Sequence, residues 1–170
     1  MPRGPRRHGP EAMSTLRIDV ADLLTHPGAR RPVHLEAPVE GLAGSAARVH
    51  EPVRVDLLLE RVPDGVVARG TVHARWEAEC SACLREVQHD LDVGVGELFE
   101  DSPVDGETYP LAGHEIDLEQ LVRDAVLLEL PLAPTCATAG LADCRPVPLS
   151  DAGDDAPVDP RWAALSQLEL

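Results

Sequence analysis

The feature of this sequence that most constrains the fold is an alternating stretch that runs into a pair of cysteines. Over residues 72–80 apolar and polar side chains alternate, which is the period of a β-strand. The motif Cys80-Ser81-Ala82-Cys83 interrupts this pattern, and alternation resumes over residues 87–95. The pattern predicts two antiparallel strands joined by a tight turn, with Cys80 on the same, core-facing side as Trp76.

The residues before this stretch predict further strands. Residues 52–62 alternate, and the following Val62-Pro63-Asp64-Gly65 predicts a hairpin turn in which Gly65 supplies a positive φ. Weaker patterns predict strands at 16–20 and 33–36, a helical turn at 21–24, and loops at 37–48 and 100–115, the second with a short extended piece near residues 109–111.

A helix is predicted after residue 117. Asp117 suits the N-cap position, and Gln120 stands where a capping box places its partner. Pro131 is expected to end the helix, with Leu130 extended. The predicted buried stripe consists of Leu118, Leu121, Val122, Ala125 and Leu128.

These elements predict an α+β fold, in which an antiparallel sheet of three or more strands is covered by one main helix. Closure of the sheet into a barrel is left open. We expect one domain over residues 14–144. We also expect a disordered tail or mis-assigned start at 1–13, a flexible loop at 145–158 and a short C-terminal helix at 159–170.

The strong negative charge limits the kinds of partner. The formal net charge is -15 at pH 7, which disfavours non-specific binding to a nucleic-acid backbone and suits a basic partner protein. Solubility alone could also account for this charge. The basic residues 1–12 lack a following apolar segment, and no apolar run approaches the ~20 residues of a membrane span. We therefore expect a cytoplasmic protein.

The four cysteines are the candidate functional residues. Cys80 and Cys83 have a spacing that lets two thiolates reach one tetrahedral zinc ion, and Cys136 and Cys144 could complete the site. Seven residues separate the second pair, which is wide for a zinc knuckle. Buried, inert cysteines and a degraded metal site are the competing interpretations.

Enzymatic chemistry is not indicated. A thioredoxin-like motif requires Cys-x-x-Cys at a helix N-terminus, whereas this motif joins two strands. We therefore predict no catalytic residues, no small-molecule substrate and no enzyme activity, with a thiol enzyme as the least favoured alternative. The acidic residues flanking the cysteine turn, such as Glu79 and Glu86, are expected to form a solvated face.

Four segments follow one another along the chain: Glu79-Cys80-Ser81-Ala82-Cys83-Leu84, Ile116-Asp117-Leu118-Glu119, Leu130-Pro131-Leu132-Ala133-Pro134-Thr135-Cys136 and Asp159-Pro160-Arg161-Trp162-Ala163-Ala164-Leu165. In this order they resemble the YceD family of bacteria and plastids. Two departures from the family pattern count against a metal. Ala82 replaces an arginine usual at the corner, and Ala142 follows Leu141 where a cysteine is usual.

The resemblance implies a non-enzymatic factor for synthesis, processing or accumulation of large-subunit ribosomal RNA. The acidic charge then suggests action through a basic large-subunit ribosomal protein or a pre-ribosomal particle, and leaves direct RNA contact open. The alternative is a small zinc-binding interaction module with another basic partner.

Overall fold

The structure is a computed structural model that describes residues 16–147. This part of the chain contains eight strands and two helices. In chain order they are β1 (Arg17–Asp19), α1 (Ala21–Leu24), β2 (Arg30–Ala37), β3 (Ala47–Val49), β4 (Val53–Val62), β5 (Gly65–Glu79), β6 (Glu86–Glu100), β7 (Tyr109–Ala112), β8 (Glu115–Asp117) and α2 (Leu118–Glu129).

All eight strands belong to one sheet, whose order is β1-β8-β7-β6-β5-β4-β2. β3 pairs with β5 beside its C-terminal half, where β4 no longer runs. Neighbouring strands are antiparallel except β6 and β7, which are parallel. β5 is therefore the central strand, with β6 along one edge and both β4 and β3 along the other.

The hairpin of β5 and β6 confirms the strand prediction that began with the alternating stretch. The two strands pair over their full fifteen residues, from Gly65 opposite Glu100 to Glu79 opposite Glu86. Trp76 and Cys80 both lie in the core, as the alternation predicted. The turn that closes this hairpin carries the Cys-x-x-Cys motif.

The turn between β4 and β5 is also confirmed, but the role of its glycine differs from the prediction. Val62 pairs with Gly65, so Pro63 and Asp64 alone form the loop. Gly65 does not have a positive φ. A Cβ atom there would lie 1.9 Å from the carbonyl oxygen of Phe99, so close approach of β6 requires the glycine.

The predicted helix corresponds to α2, with two differences in detail. The Asp117 carboxylate accepts a hydrogen bond from the Glu119 N–H, which confirms the N-cap. Gln120 donates instead to Asp124, so no capping box forms. Leu128 is 84% exposed and was wrongly assigned to the buried stripe, because the helix ends one residue later at Glu129.

The predicted fold class, a sheet covered by one main helix, is wrong. Strands make up 47% of the described structure and helices only 12%, and the sheet curls into a half-barrel. The helix α2 packs mainly against β6, β5 and β1. The physical reason is the length of β5 and β6, because strands of fifteen residues twist enough for a sheet to enclose much of its own apolar face.

Other predictions are met in part. The strand at 16–20, the helical turn at 21–24 and the extended piece near 109–111 are present as β1, α1 and β7. The predicted loop at 37–48 contains the start of β3, and β8 was not predicted. The expected tail at 1–13 and the C-terminal helix at 159–170 lie outside the described residues, as does most of the expected loop at 145–158. Within residues 16–147, neither helix has the length and apolar character needed to cross a membrane.

Candidate metal centre

The first half of the site is the turn between β5 and β6. The Cys80 N–H donates to the Arg85 carbonyl at 2.8 Å, and the Leu84 N–H donates to the Cys80 carbonyl at 2.9 Å. Leu84 has a φ of 60°, and no other described residue except glycine has a positive φ. The tightly closed turn directs the side chains of Cys80 and Cys83 to the same side.

The second half of the site comes from the segment that follows α2. The Leu141 N–H donates to the Cys136 carbonyl at 2.8 Å, which closes a turn around that cysteine. Two further backbone bonds attach the segment to the first turn. Ser81 donates to the Pro134 carbonyl, and Val147 donates to the Ala82 carbonyl, each at 2.8 Å.

Together the two turns bring all four cysteines into one group, which we call the cysteine cluster (Cys80, Cys83, Cys136 and Cys144). Their sulfur atoms all lie within 4.8 Å of one another. The Sγ–Sγ distance is 3.8 Å from Cys80 to Cys144 and 3.5 Å from Cys83 to Cys136. All four are free thiols in the structure, with no disulfide.

These distances fit a tetrahedral zinc ion. Zn–S bonds of about 2.3 Å in a tetrahedron place neighbouring sulfur atoms about 3.8 Å apart. Cys80 and Cys136 are fully buried, and the other two are partly buried. Four sulfur ligands fill the coordination sphere of zinc, so such a site would be structural.

The backbone around Cys80 favours its thiolate form. N–H groups of Cys83 and Ala82 point at its sulfur atom and lower the pKa of Cys80 to about 6. Burial has the opposite effect elsewhere in the cluster. It raises the pKa of Cys136, and it raises that of Cys144 to about 12.

Arg85 is the charged residue in contact with the cluster. Its guanidinium Nη2 lies 3.3 Å from the Cys136 sulfur and 2.9 Å from the Asp143 carbonyl oxygen. It therefore links the first residue of the second pair to the segment that carries Cys144. A positive charge here would offset part of the negative charge of a thiolate site.

The sequence named all four cysteines but did not show that they meet. The wide spacing of Cys136 and Cys144 is accommodated because residues 136–140 form their own turn, with Gly140 at a φ of 70°. Arg85 was missed. Its place two residues after Cys83 was the available signal, but the direction of its side chain depends on the packing of the distant segment.

The fold and the cluster define a small β-rich protein organised around a cysteine corner, and comparison with known proteins gives the family. The sequence model of the family described as "Large ribosomal RNA subunit accumulation protein YceD" matches residues 68–169. The chain belongs to the YceD family.

Three similar proteins come from mycobacteria. An uncharacterized protein of Mycobacterium tuberculosis (strain ATCC 25618 / H37Rv) is 35% identical over 181 residues, covering 96% of this chain and 87% of that protein. An uncharacterized protein of Mycobacterium bovis shares the same identity and coverage. One of Mycobacterium leprae is 33% identical over 178 residues, covering 92% of this chain and 78% of that protein. No solved structure matches significantly.

Proposed function

We propose that this protein supports the accumulation of large-subunit ribosomal RNA as a non-enzymatic assembly factor in the cytoplasm. The observation that carries the proposal is the family match, whose description names this role. The matched residues include nearly all of β5, all of β6 and α2, and every member of the cysteine cluster. The region that matches the family therefore includes the site, which supports the proposal.

We propose further that the protein acts through a basic large-subunit ribosomal protein. A net charge of -15 favours association with basic surfaces and repels the phosphate backbone of RNA. The acidic protein would then hold a basic ribosomal protein until that protein joins the assembling particle.

Depletion of the protein in its own host tests the role in RNA accumulation. We expect mature large-subunit RNA and the large subunit to fall relative to the small subunit, and re-expression of the intact chain to restore both. A normal subunit profile and normal RNA levels after complete depletion would contradict the proposed function.

The cluster geometry supports a second proposal, that zinc joins the corner to the segment after α2. Zinc would act as a cross-link between the two turns and contribute to folding. We expect untagged protein to contain about one equivalent of zinc, and Cys136→Ser to contain less than about a tenth of an equivalent. Ser81→Ala, in the turn that carries Cys80 and Cys83, is the control and should keep its zinc, because it removes no thiolate. Zinc-free wild-type protein that folds normally would overturn this proposal.

The alternative function is a zinc-binding interaction module with a basic partner outside the ribosome. The same cluster and charge support it. The depletion experiment separates this alternative from the ribosomal role. The alternative predicts that ribosomal RNA stays unchanged after depletion and that purification of the full chain still recovers a basic protein.

A further inference from the structure

An exposed groove lined by both charged and apolar side chains lies beside the cysteine corner. It has a volume of about 970 Å³ and lies between the residues around β3, the ends of β5 and β6, and residues 132–134. We call it the corner groove and define it by Leu84, Leu132, Ala46, Glu77, Glu79 and Glu86. Leu132 is 83% exposed and Leu84 61% exposed, so two large apolar side chains at the groove lie mostly in water.

The position of Leu84 gives the fold no evident advantage. With a φ of 60°, a leucine is strained where a glycine would be relaxed. Burial in the core does not offset that strain, since most of the side chain is exposed. A leucine at this position is better explained by contact with something outside the described residues.

The charges at the groove are also unfavourable for the isolated fold. Glu79 and Glu86 are directly opposite each other across β5 and β6, where like charges destabilise a strand pair. Neither makes an ion pair with any residue of the described range 16–147. Glu77, by contrast, is paired with Arg48 at 2.8 Å.

We propose that the corner groove binds a basic segment of a partner protein that carries a large apolar residue. Its arginine or lysine side chains would neutralise Glu79 and Glu86, and its apolar side chain would cover Leu84 and Leu132. The identification of the partner as a basic ribosomal protein rests on the proposed function. The groove adds the place on this chain where that partner binds.

Charge favours a basic partner over the other candidate occupants, which are the C-terminal residues of this chain, RNA and a second copy of the chain. Residues 148–170 of the chain contain five acidic residues and one arginine, so the two unpaired glutamates would repel them. RNA would be repelled in the same way. A second copy would bring an identical pair of glutamates to the interface.

The first experiment measures binding of a synthetic peptide of alternating arginine and leucine to the full-length protein. Leu84→Gly should weaken binding about tenfold, because a leucine contact is lost. The same variant should not be less stable, since glycine relieves the positive φ, and the free energy of unfolding measured alongside checks this. Val104→Gly is the control, because Val104 is 51% exposed and lies away from the groove.

The charge component has its own matched pair of variants. Glu79→Gln with Glu86→Gln should weaken peptide binding about tenfold at low salt. Asp101→Asn with Asp105→Asn changes the net charge equally at exposed positions outside the groove and should leave binding nearly unchanged. Equal effects of the two double variants, or equal binding by Leu84→Gly and the parent, would overturn the proposal.

Cross-linking in cells identifies the natural occupant. A photo-reactive residue in place of Leu132 should cross-link to a basic protein, identified by mass spectrometry, whereas the same residue in place of Val104 should not. Cross-links to RNA, to residues 148–170 or to a second copy would overturn the proposal. Reduced ribosomal RNA after depletion, together with no cross-link at position 132, would refute the groove and leave the proposed function standing. Normal ribosomal RNA after depletion, together with a cross-link to a non-ribosomal basic protein, would refute the proposed function and leave the groove as a binding site for a basic partner.

Discussion

At the scale of single residues, the structure depends on a few side chains and glycines whose surroundings are set by distant parts of the chain. Arg85 contacts a cysteine 51 positions away. Gly70, in the middle of β5, has a φ of 155° and lies against the backbone of β4. Neither role is visible in the local sequence, and each can be tested by one substitution.

Replacement of Arg85 tests its role at the cluster. Arg85→Met keeps much of the side-chain volume but removes the contact with Cys136 and the bond to the Asp143 carbonyl. We expect the affinity for the proposed zinc ion to fall about 10- to 100-fold, as for other residues that support metal ligands, measured by competition with a chelator. Arg75→Met removes an arginine that pairs with Asp90, away from the cysteines, and should leave zinc affinity unchanged.

Replacement of Gly70 tests the close approach of β4 and β5. A Cβ atom at this position would lie 2.1 Å from the Asp56 carbonyl oxygen, so Gly70→Ala should destabilise the protein by about 2–4 kcal/mol. Gly94→Ala is the control, because a Cβ atom there meets nothing within 4 Å and the φ of Gly94 is not positive. Urea unfolding should show a large decrease in the free energy of unfolding for Gly70→Ala and almost none for Gly94→Ala. Equal decreases would show that Gly70 is not required by the close approach of β4.

At the scale of elements, the helix α2 is attached to the sheet through the apolar residues of one of its faces. Leu118, Leu121, Val122 and Val126 are its buried residues, and they pack mainly against β6, β5 and β1. The helix is also joined to β7, where the Tyr109 hydroxyl donates to Asp124 at 3.0 Å. The segment with Cys136 and Cys144 follows directly, so the position of α2 determines where the second half of the cluster begins.

Two leucines of α2 give a matched test of this packing. Leu121 is 1% exposed and Leu128 is 84% exposed in the same helix. Leu121→Ala should lower the free energy of unfolding by about 2–5 kcal/mol because it leaves a cavity. Leu128→Ala should change it by less than about 0.5 kcal/mol. If thermal or urea unfolding showed similar effects, α2 would not be packed as described.

At the scale of the whole molecule, the outer surface combines a large negative charge with local ion pairs. Among the residues that the structure describes, Asp56 is the carboxylate with the most ion-pair partners: His34 at 2.7 Å, Arg54 at 3.1 Å and His73 at 3.2 Å. The hydrogen bond from His34, followed by the charge of Arg54, lowers the pKa of Asp56 from its ordinary value of 3.8. These contacts join β2, β4 and β5 on the outer face of the sheet.

The pH dependence of stability follows from this lowered pKa. Because Asp56 binds its proton more weakly in the folded than in the unfolded chain, its contribution is full above pH 3.8 and is lost as pH falls through the lower folded-state pKa. We therefore expect Asp56→Asn to be less stable than the parent at pH 6 and the difference to shrink below about pH 3.8. Urea unfolding at several pH values measures this. A difference independent of pH would show that Asp56 contributes by packing alone.

The sequence alone determined the elements whose signals are local. Alternation placed β4, β5 and β6, and Asp117 and Pro131 placed the ends of α2 to within about two residues. These predictions held because strand period, capping and the geometry of proline act within a few residues. The sequence also named the four cysteines.

Only the tertiary structure decided how those elements meet. β3 has three residues and forms because β5 has an unpaired edge beyond β4, and β8 has three residues that pair with β1, about 100 positions away. The twist of the fifteen-residue strands made the sheet curl, which overturned the expected helix-covered sheet. The same packing brought Cys136 and Cys144 to the corner and placed Cys136 against the Arg85 side chain. Contacts between such distant segments depend on the whole fold and leave little local signal.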